Sequence, residues 1–133
     1  MQIFKSDINT LVSTKMLMEG VHFDLTYIDL QHLGYKAAMI SMNDIFAGGG
    51  TPRTVIMSLG LSKRFQEPET EALFDGAKMA CEKWSVTLVE GDKTASLTGL
   101  AINVTCIGEA NDDEIIPQDG AKETNLLCVS GDL

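Results

Sequence analysis

The segment from Thr54 to Ser62 alternates between apolar and polar residues, and this alternation constrains the fold more than any other feature. A period of two residues is the pattern of a β-strand that buries one face. Ile56 is the exception on the polar side. The chain is therefore expected to contain a sheet with one face against a core. The apolar positions are Val55, Met57, Leu59 and Leu61.

Two segments that flank this strand have the spacing and end signals of helices. Asp29 is a predicted N-cap for a helix from Leu30 to Phe46, and the glycines at 48–50 then end it. Pro68, with acidic residues on both sides, predicts the start of a second helix. The predicted buried face of that helix comprises Leu73, Phe74, Ala77, Cys81 and Trp84.

Four further segments have strand character, so the predicted fold class is α+β. We expect a mostly antiparallel four- or five-stranded sheet with two helices on one face, formed by residues 1–133 as a single domain. The other sheet face has no predicted cover, so we expect it to pair with a second copy in a homodimer. The additional strands are Ile8–Thr14, Thr87–Glu90, Leu97–Ile107 and one that begins at Leu126–Val129.

Composition limits the classes of partner. The net charge is −9, which disfavours binding to nucleic acid or to an anionic membrane. The sequence contains no apolar run long enough to span a bilayer. Three widely spaced cysteines (Cys81, Cys106 and Cys128) form no CxxC pair, so we expect buried, reduced thiols and a cytoplasmic protein.

Asp44 and Asp92 are candidate magnesium ligands, because Mg²⁺ prefers one or two carboxylates with phosphate oxygens and water. Either could instead be a cap or turn residue that bonds its own backbone. Asp44 is the less ordinary of the two, since it lies late in a helix, where the dipole disfavours negative charge.

Two other features also allow two interpretations. The glycines at 48–50 could hold phosphate, but they lack the P-loop spacing and no helix is predicted directly after them, so a plain helix end is the favoured interpretation. His22 could orient a substrate phosphate or could be a packed or edge residue. The sequence carries no nucleophile-and-base motif.

Taken together, four stretches resemble the N-terminal half of thiamine-monophosphate kinases. That family belongs to a superfamily with aminoimidazole ribonucleotide synthetase and selenophosphate synthetase. The run "EGVHFD" followed by "HLGYKA" resembles the thiamine enzymes more than their relatives. The stretches are "VSTKMLMEGVHFDLTYIDLQHLGYKAA", "NDIFAGGGTPR", "EGDKTASLTG" and "DGAKETNLLCVSGDL".

The resemblance implies an ATP-binding and dimerising domain, with Mg²⁺ and ATP as cofactors. It implies phosphoryl transfer from ATP to thiamine monophosphate, giving thiamine diphosphate. By resemblance, Ser13, Thr14, Asp44 and Asp92 are metal ligands. Gly91 and Asp92 are nucleotide-binding by the same argument, and His22 binds the thiamine phosphate. Relative to the family pattern, the sequence is truncated at both ends.

This sequence departs from the family pattern at phosphate and metal positions. The family has aspartate at Lys15, glycine at Glu90 and threonine at Lys93, and it usually has arginine at Gln118. A protonated ammonium group cannot ligate magnesium. We therefore expect Lys15 and Lys93 to neutralise carboxylates where metals would lie, the alternative being that both point to solvent.

Two functions follow as expectations. The first is a kinase domain that is inactive as this isolated chain. The second is a non-catalytic, degenerate or engineered dimerising scaffold of the same fold. A third, membership of the purine-synthesis or selenophosphate branch, is disfavoured by "EGVHFD".

Overall fold

The computed structural model describes residues 1–131 and consists of one five-stranded sheet with two helices. Its strand order is β1-β2-β5-β3-β4, and every pair is antiparallel except β3 with β4. This confirms the predicted α+β class and the mostly antiparallel sheet. The elements are β1 (Gln2–Phe4), β2 (Asn9–Met18), α1 (Leu30–Ala47), β3 (Thr51–Leu61), α2 (Glu67–Lys83), β4 (Thr87–Ala95) and β5 (Ala101–Ala110).

Both helices begin close to where the sequence predicts, and α1 also ends there. The Asp29 carboxylate accepts a hydrogen bond from the His32 amide at 2.8 Å, and this caps α1. At the other end, the Gly48 amide donates to the Asp44 carbonyl, and Gly49 has a φ of +80°. A Cβ on Gly49 would lie 1.9 Å from the Glu114 carbonyl oxygen, so only glycine fits there.

The two helices cross at unusually close range, because each contributes a glycine to the contact. A Cβ on Gly34 of α1 would lie 1.8 Å from the Leu73 carbonyl oxygen. A Cβ on Gly76 of α2 would lie 1.8 Å from the Gln31 carbonyl oxygen. The missing side chains allow the two backbones to touch. The helices therefore form one compact layer over the sheet.

The core lies between this helical layer and one face of the sheet. Side chains on β5 alternate, and Ile102, Val104 and Cys106 are fully buried toward the helices. The other face carries the intervening side chains and has no covering layer among the described residues. Met16, which is 55 % exposed, lies on this open face.

Four sequence expectations are wrong. The strand predicted from Leu97 begins only at Ala101, because Leu97 is fully exposed and lies outside the sheet. No strand forms at Leu126–Val129, where Leu126 and Leu127 are 90 % and 96 % exposed, because this segment does not return to a free sheet edge. The predicted strands β2 and β4 are too short, because both strands continue through the polar residues that follow. Trp84 lies beyond the end of α2 and remains 45 % exposed, with its ring 5.0 Å from that of Phe46.

The cysteines fit the expectation only in part. Cys81 and Cys106 are buried, and burial raises their pKa values to about 11 and about 12, so both remain protonated thiols at neutral pH. Cys128 is exposed, because the segment that carries it is not packed. Within residues 1–131, neither helix has both the length and the apolar character needed to cross a membrane.

Replacement of Gly34 by alanine is expected to lower the free energy of unfolding by about 1–3 kcal/mol, the usual cost of overpacking a tight contact. The inserted methyl group would force α1 away from α2. Urea unfolding followed by circular dichroism measures this change. Asn43→Ala, at an exposed position of the same helix, is the control and should change stability by less than about 0.5 kcal/mol. Equal stability of Gly34→Ala and the parent would contradict the close crossing.

Candidate functional site

The Asp44 carboxylate is the centre of the best-organised polar site. Its Oδ2 accepts a hydrogen bond from Ser13 Oγ at 2.6 Å and lies 2.8 Å from Lys15 Nζ. Ser13 and Lys15 are alternate residues of β2, so both side chains leave the strand on the helical side, where α1 presents Asp44. The sequence prediction that Lys15 neutralises a carboxylate is confirmed for Asp44.

Two opposing influences act on the Asp44 carboxyl group. Burial is the largest and raises its pKa, but the hydrogen bonds from Lys15 and Ser13 and the charge of Lys15 together outweigh burial. The net result is a lowered pKa, so Asp44 is ionised at neutral pH. The side chains of Lys15 and Asp44 are 41 % and 31 % exposed. At an effective dielectric of about 20, the attraction within such an ion pair is about 4 kcal/mol. Because solvent reaches both side chains, the contribution of the Lys15–Asp44 pair to stability is well below that value.

Thr14 lies on the opposite face of the sheet from Ser13. Its Oγ1 is 2.9 Å from Thr105 Oγ1 and accepts from Asn103 Nδ2 at 3.4 Å. The two neighbouring hydroxyl groups that the resemblance assigns to one metal therefore face different surroundings. The expectation that Ser13, Thr14 and Lys15 lie at a strand end is wrong, because β2 continues to Met18.

Gly91 and Asp92 form a bulge in β4 rather than the turn that the sequence suggests. Met57 pairs with Glu90 and Leu59 pairs with Lys93, so two residues of β4 lie opposite Ser58. A Cβ on Gly91 would lie 2.2 Å from Ser58 Oγ, and this hydroxyl accepts from the Asp92 amide at 3.1 Å.

The Asp92 side chain is exposed and lines a shallow hollow of about 200 Å³ on the open face of the sheet. Met16, Ser58 and Asn103 also line this hollow, whereas Asp44 does not. The structure therefore brings Ser13 and Asp44 together but does not bring Thr14 and Asp92 to them.

Lys93 does not reach Asp92. Its ammonium group lies 3.1 Å from the Glu90 carboxylate and 4.9 Å from the centre of the Phe74 ring. Both contacts lie on the helical side of β4. Glu90 and Lys93, two of the departures from the family pattern, thus neutralise each other. Gln118, another departure, is exposed.

His22 lies in the turn after β2. Its Nδ1 accepts from the Met18 amide at 3.0 Å, which places the proton of the neutral ring on Nε2. The start of this turn is fixed by Glu19, which accepts from the Leu100 amide at 2.9 Å and forms an ion pair with Arg64. His22 is exposed, so it is not a packed residue, and the other two interpretations remain.

The residues at Asp44 do not fit a magnesium ion. One carboxylate oxygen is already shared by a hydroxyl and an ammonium donor. Among residues 1–131, no group of three or more histidine, cysteine, aspartate or glutamate side chains is arranged to hold a metal. The glycines at 48–50 do not provide a phosphate cradle either, because the Glu114 carbonyl lies against Gly49.

Residues 2–110 match the family model described as AIR synthase related protein, N-terminal domain. The match covers both helices and all five strands, including the site at Asp44. The chain belongs to this family.

Thiamine-monophosphate kinases are among its similar relatives. The enzyme of Bacillus subtilis is 29 % identical over 129 residues, which are 97 % of this chain and 40 % of the relative. The enzyme of Aquifex aeolicus is 33 % identical over 123 residues, which are 92 % of this chain and 39 % of the relative. The chain thus spans about two fifths of the length of these relatives.

Solved structures of the same family superpose well. Thiamine monophosphate kinase from Aquifex aeolicus gives a TM-score of 0.81 at 30 % identity, covering 91 % of this chain and 40 % of that one. A structure of AaThiL complexed with AMPPCP and TMP gives 0.79 at 32 % identity, covering 90 % and 38 %. Hydrogenase maturation protein HypE, at 22 % identity and a TM-score of 0.70, shares the fold; it covers 85 % of this chain and 34 % of that one.

Sequence reasoning missed the partners of Thr14 on the open face. The sequence predicts Thr105 and Asn103 only as members of a strand. Their alternation with Val104 and Cys106 was a usable signal, because it places both polar side chains on the face opposite the core.

Replacement of Lys15 by methionine is expected to reduce stability at neutral pH and to alter its pH dependence. The pKa of Asp44 is lower in the folded protein than in the unfolded chain, where it is about 3.9. Ionised Asp44 therefore stabilises the fold fully above the unfolded-state pKa, and this stabilisation is lost as pH falls through the folded-state pKa. Without Lys15, less opposes the effect of burial on the Asp44 pKa, so this pKa is lowered less in the folded variant. Lys15→Met should therefore lose less stability than the parent as the pH falls. Urea unfolding between neutral pH and pH 3 measures this difference.

Lys63→Met, at an exposed loop position, removes the same charge and serves as the control. Its pH profile should run parallel to that of the parent. A Lys15→Met profile that also runs parallel would show that the pair with Asp44 does not affect stability.

Proposed function

We propose that this chain is the N-terminal domain of a thiamine-monophosphate kinase and that it has no kinase activity as this isolated chain. The whole enzyme would transfer a phosphoryl group from ATP to thiamine monophosphate. Lineage is supported by the relatives, which are named thiamine-monophosphate kinases. Inactivity is supported by the length of the chain, about two fifths of theirs, and by the chemistry at Asp44.

The observation that carries the proposal is the 2.8 Å contact between Lys15 and Asp44. Phosphoryl transfer depends on cations that neutralise and position phosphate groups. By resemblance, residue 15 should contribute a second carboxylate that attracts a divalent ion. A lysine there supplies a fixed positive charge, so the carboxylate is balanced from within the protein and Mg²⁺ gains little by entering.

The positions of the proposed nucleotide and substrate contacts also support inactivity. Gly91 and Asp92 are proposed nucleotide-binding residues and His22 a proposed thiamine phosphate contact, but each lies on a different part of the surface from Asp44. Asp92 faces the open side of the sheet, whereas His22 lies in the turn after β2. ATP and thiamine monophosphate would need further protein, with metal, to meet at one place.

The second candidate function is a non-catalytic dimerising scaffold, and the open face of the sheet favours it. This face has half-exposed apolar side chains, including Met16 and Val89, between hydroxyl and amide groups. A second copy that packs its own open face against this one would bury both. The homodimer is thus common to both candidates.

Isothermal titration of MgCl₂ tests the role of Lys15. The parent chain should show no measurable binding, with or without ATP, because the ammonium group already balances Asp44. Lys15→Asp should gain binding, since two carboxylates and the Ser13 hydroxyl would then face one another. Assays of ATP hydrolysis and thiamine diphosphate formation should remain at background for the parent.

Lys63→Asp makes the same change of charge at an exposed position and should bind no Mg²⁺. Tight binding by the parent would refute the proposal that Lys15 replaces a metal. Thiamine diphosphate formed by the parent alone would refute inactivity and leave the kinase lineage standing.

Light scattering tests the homodimer. The parent should have twice the mass of one chain, with or without Mg-ATP. Met16→Glu should shift the mass toward that of one chain, because the added charge would enter an apolar contact beside Asp92. Met79→Glu is a matched control: Met79 is 53 % exposed but lies on α2 in the helical layer, so this variant should remain a dimer. A monomeric parent would exclude the pairing.

A further inference from the structure

A cavity of about 440 Å³ lies away from Asp44, at the end of the sheet where β1 turns into β2. One wall is formed by Ile3, Lys5 and Ser6, and the opposite wall by the segment that follows β5. That segment is held in place, because the Ile116 amide donates to the Gly48 carbonyl at 3.0 Å. The cavity is therefore preformed rather than a gap between loose ends.

Asn9 lines this cavity and is fully buried. Its Nδ2 donates to Asp112 Oδ1 at 2.7 Å. Its Oδ1 is also buried, and within residues 1–131 no group donates a hydrogen bond to it. Exchange of the two amide atoms would not help, because it would place an oxygen against the Asp112 carboxylate. The position thus retains one acceptor without a donor.

A buried acceptor without a donor is costly, and native structures rarely keep one unless water or a ligand supplies the hydrogen. The walls of the cavity restrict what that ligand can be. The Asp112 carboxylate binds the other end of the same amide, at Nδ2, and a carboxylate in the cavity favours a cationic donor. Ile3, Ile115 and Pro117 provide apolar surface, which favours a short hydrocarbon body.

We propose that this cavity binds a small primary ammonium compound, whose N–H groups bond to Asn9 Oδ1 and the Asp112 carboxylate and whose hydrocarbon part packs against the two isoleucines and Pro117. Entry requires a small outward movement of the Asp112 side chain, which is exposed. Lys5 lines the same cavity and is the one cation there, so it opposes a second positive charge. The site is independent of the proposed kinase lineage and of the Lys15–Asp44 pair.

n-Butylammonium is the probe, and the side-chain amide signal of Asn9 in ¹⁵N-edited NMR is the readout. Titration should shift this signal with a Kd of about 1 mM, as is usual for a ligand of so few atoms. n-Butyltrimethylammonium has the same charge but no N–H donor and should bind at least about tenfold more weakly, one factor of ten being about 1.4 kcal/mol.

Matched variants assign the contacts. Asp112→Asn keeps an acceptor for Asn9 but removes the charge, and it should weaken binding several-fold. Asp113→Asn removes the same charge from the neighbouring residue, which does not line the cavity, and should bind as the parent does. Lys5→Met should bind more tightly, because the opposing cation is lost. Thermal unfolding of each variant checks that it is folded.

Three results would overturn the proposal. The first is no shift of the Asn9 signal at any soluble concentration of n-butylammonium. The second is equal affinity for the trimethylated compound, which would show that charge alone is recognised. The third is a crystal structure grown with the probe in which only an ordered water bonds to Asn9 Oδ1.

Discussion

The alternation of side chains along β2 and β5 is the constraint on which the rest of this structure depends. β5 is the central strand and is paired on both sides, with β2 and with β3. Its helix-facing side chains are fully buried, so the register of the sheet cannot slip without exposing them. The same register decides which residues of β2 can approach α1.

Two consequences follow for the polar residues of β2. Ser13 and Lys15 must face the helices, and Thr14 must face the opposite side. A Cβ on Gly108 of β5 would lie 2.4 Å from Ile45 Cγ2 of α1, so α1 packs closely on the sheet, and this places Asp44 within reach of Ser13 and Lys15. The ion pair is thus a result of strand periodicity and helix packing together, whereas Thr14 is placed with Thr105 on the far face.

The helices were predictable because their end signals are local. Asp29 and the glycines at 48–50 act within a few residues of the positions that they fix. The contact of Lys15 with Asp44 was predictable only through the resemblance, because the two residues are far apart in sequence. Strand ends were less predictable: β2 and β4 continue through polar residues because pairing with neighbouring strands, rather than side-chain propensity, stabilises them there.

The bulge at Gly91 and Asp92 affects how the sheet can associate with other molecules. β4 is an edge strand, and an irregular edge of this kind offers a poor template for another strand. On the opposite side, β1 pairs only with Thr10–Val12 of β2, so within the described residues no strand pairs with the outer edge of Ser13–Met18. Addition of a strand from another molecule is therefore hindered along β4, whereas the unpaired edge of β2 from Ser13 to Met18 leaves room for such a strand in the plane of the sheet.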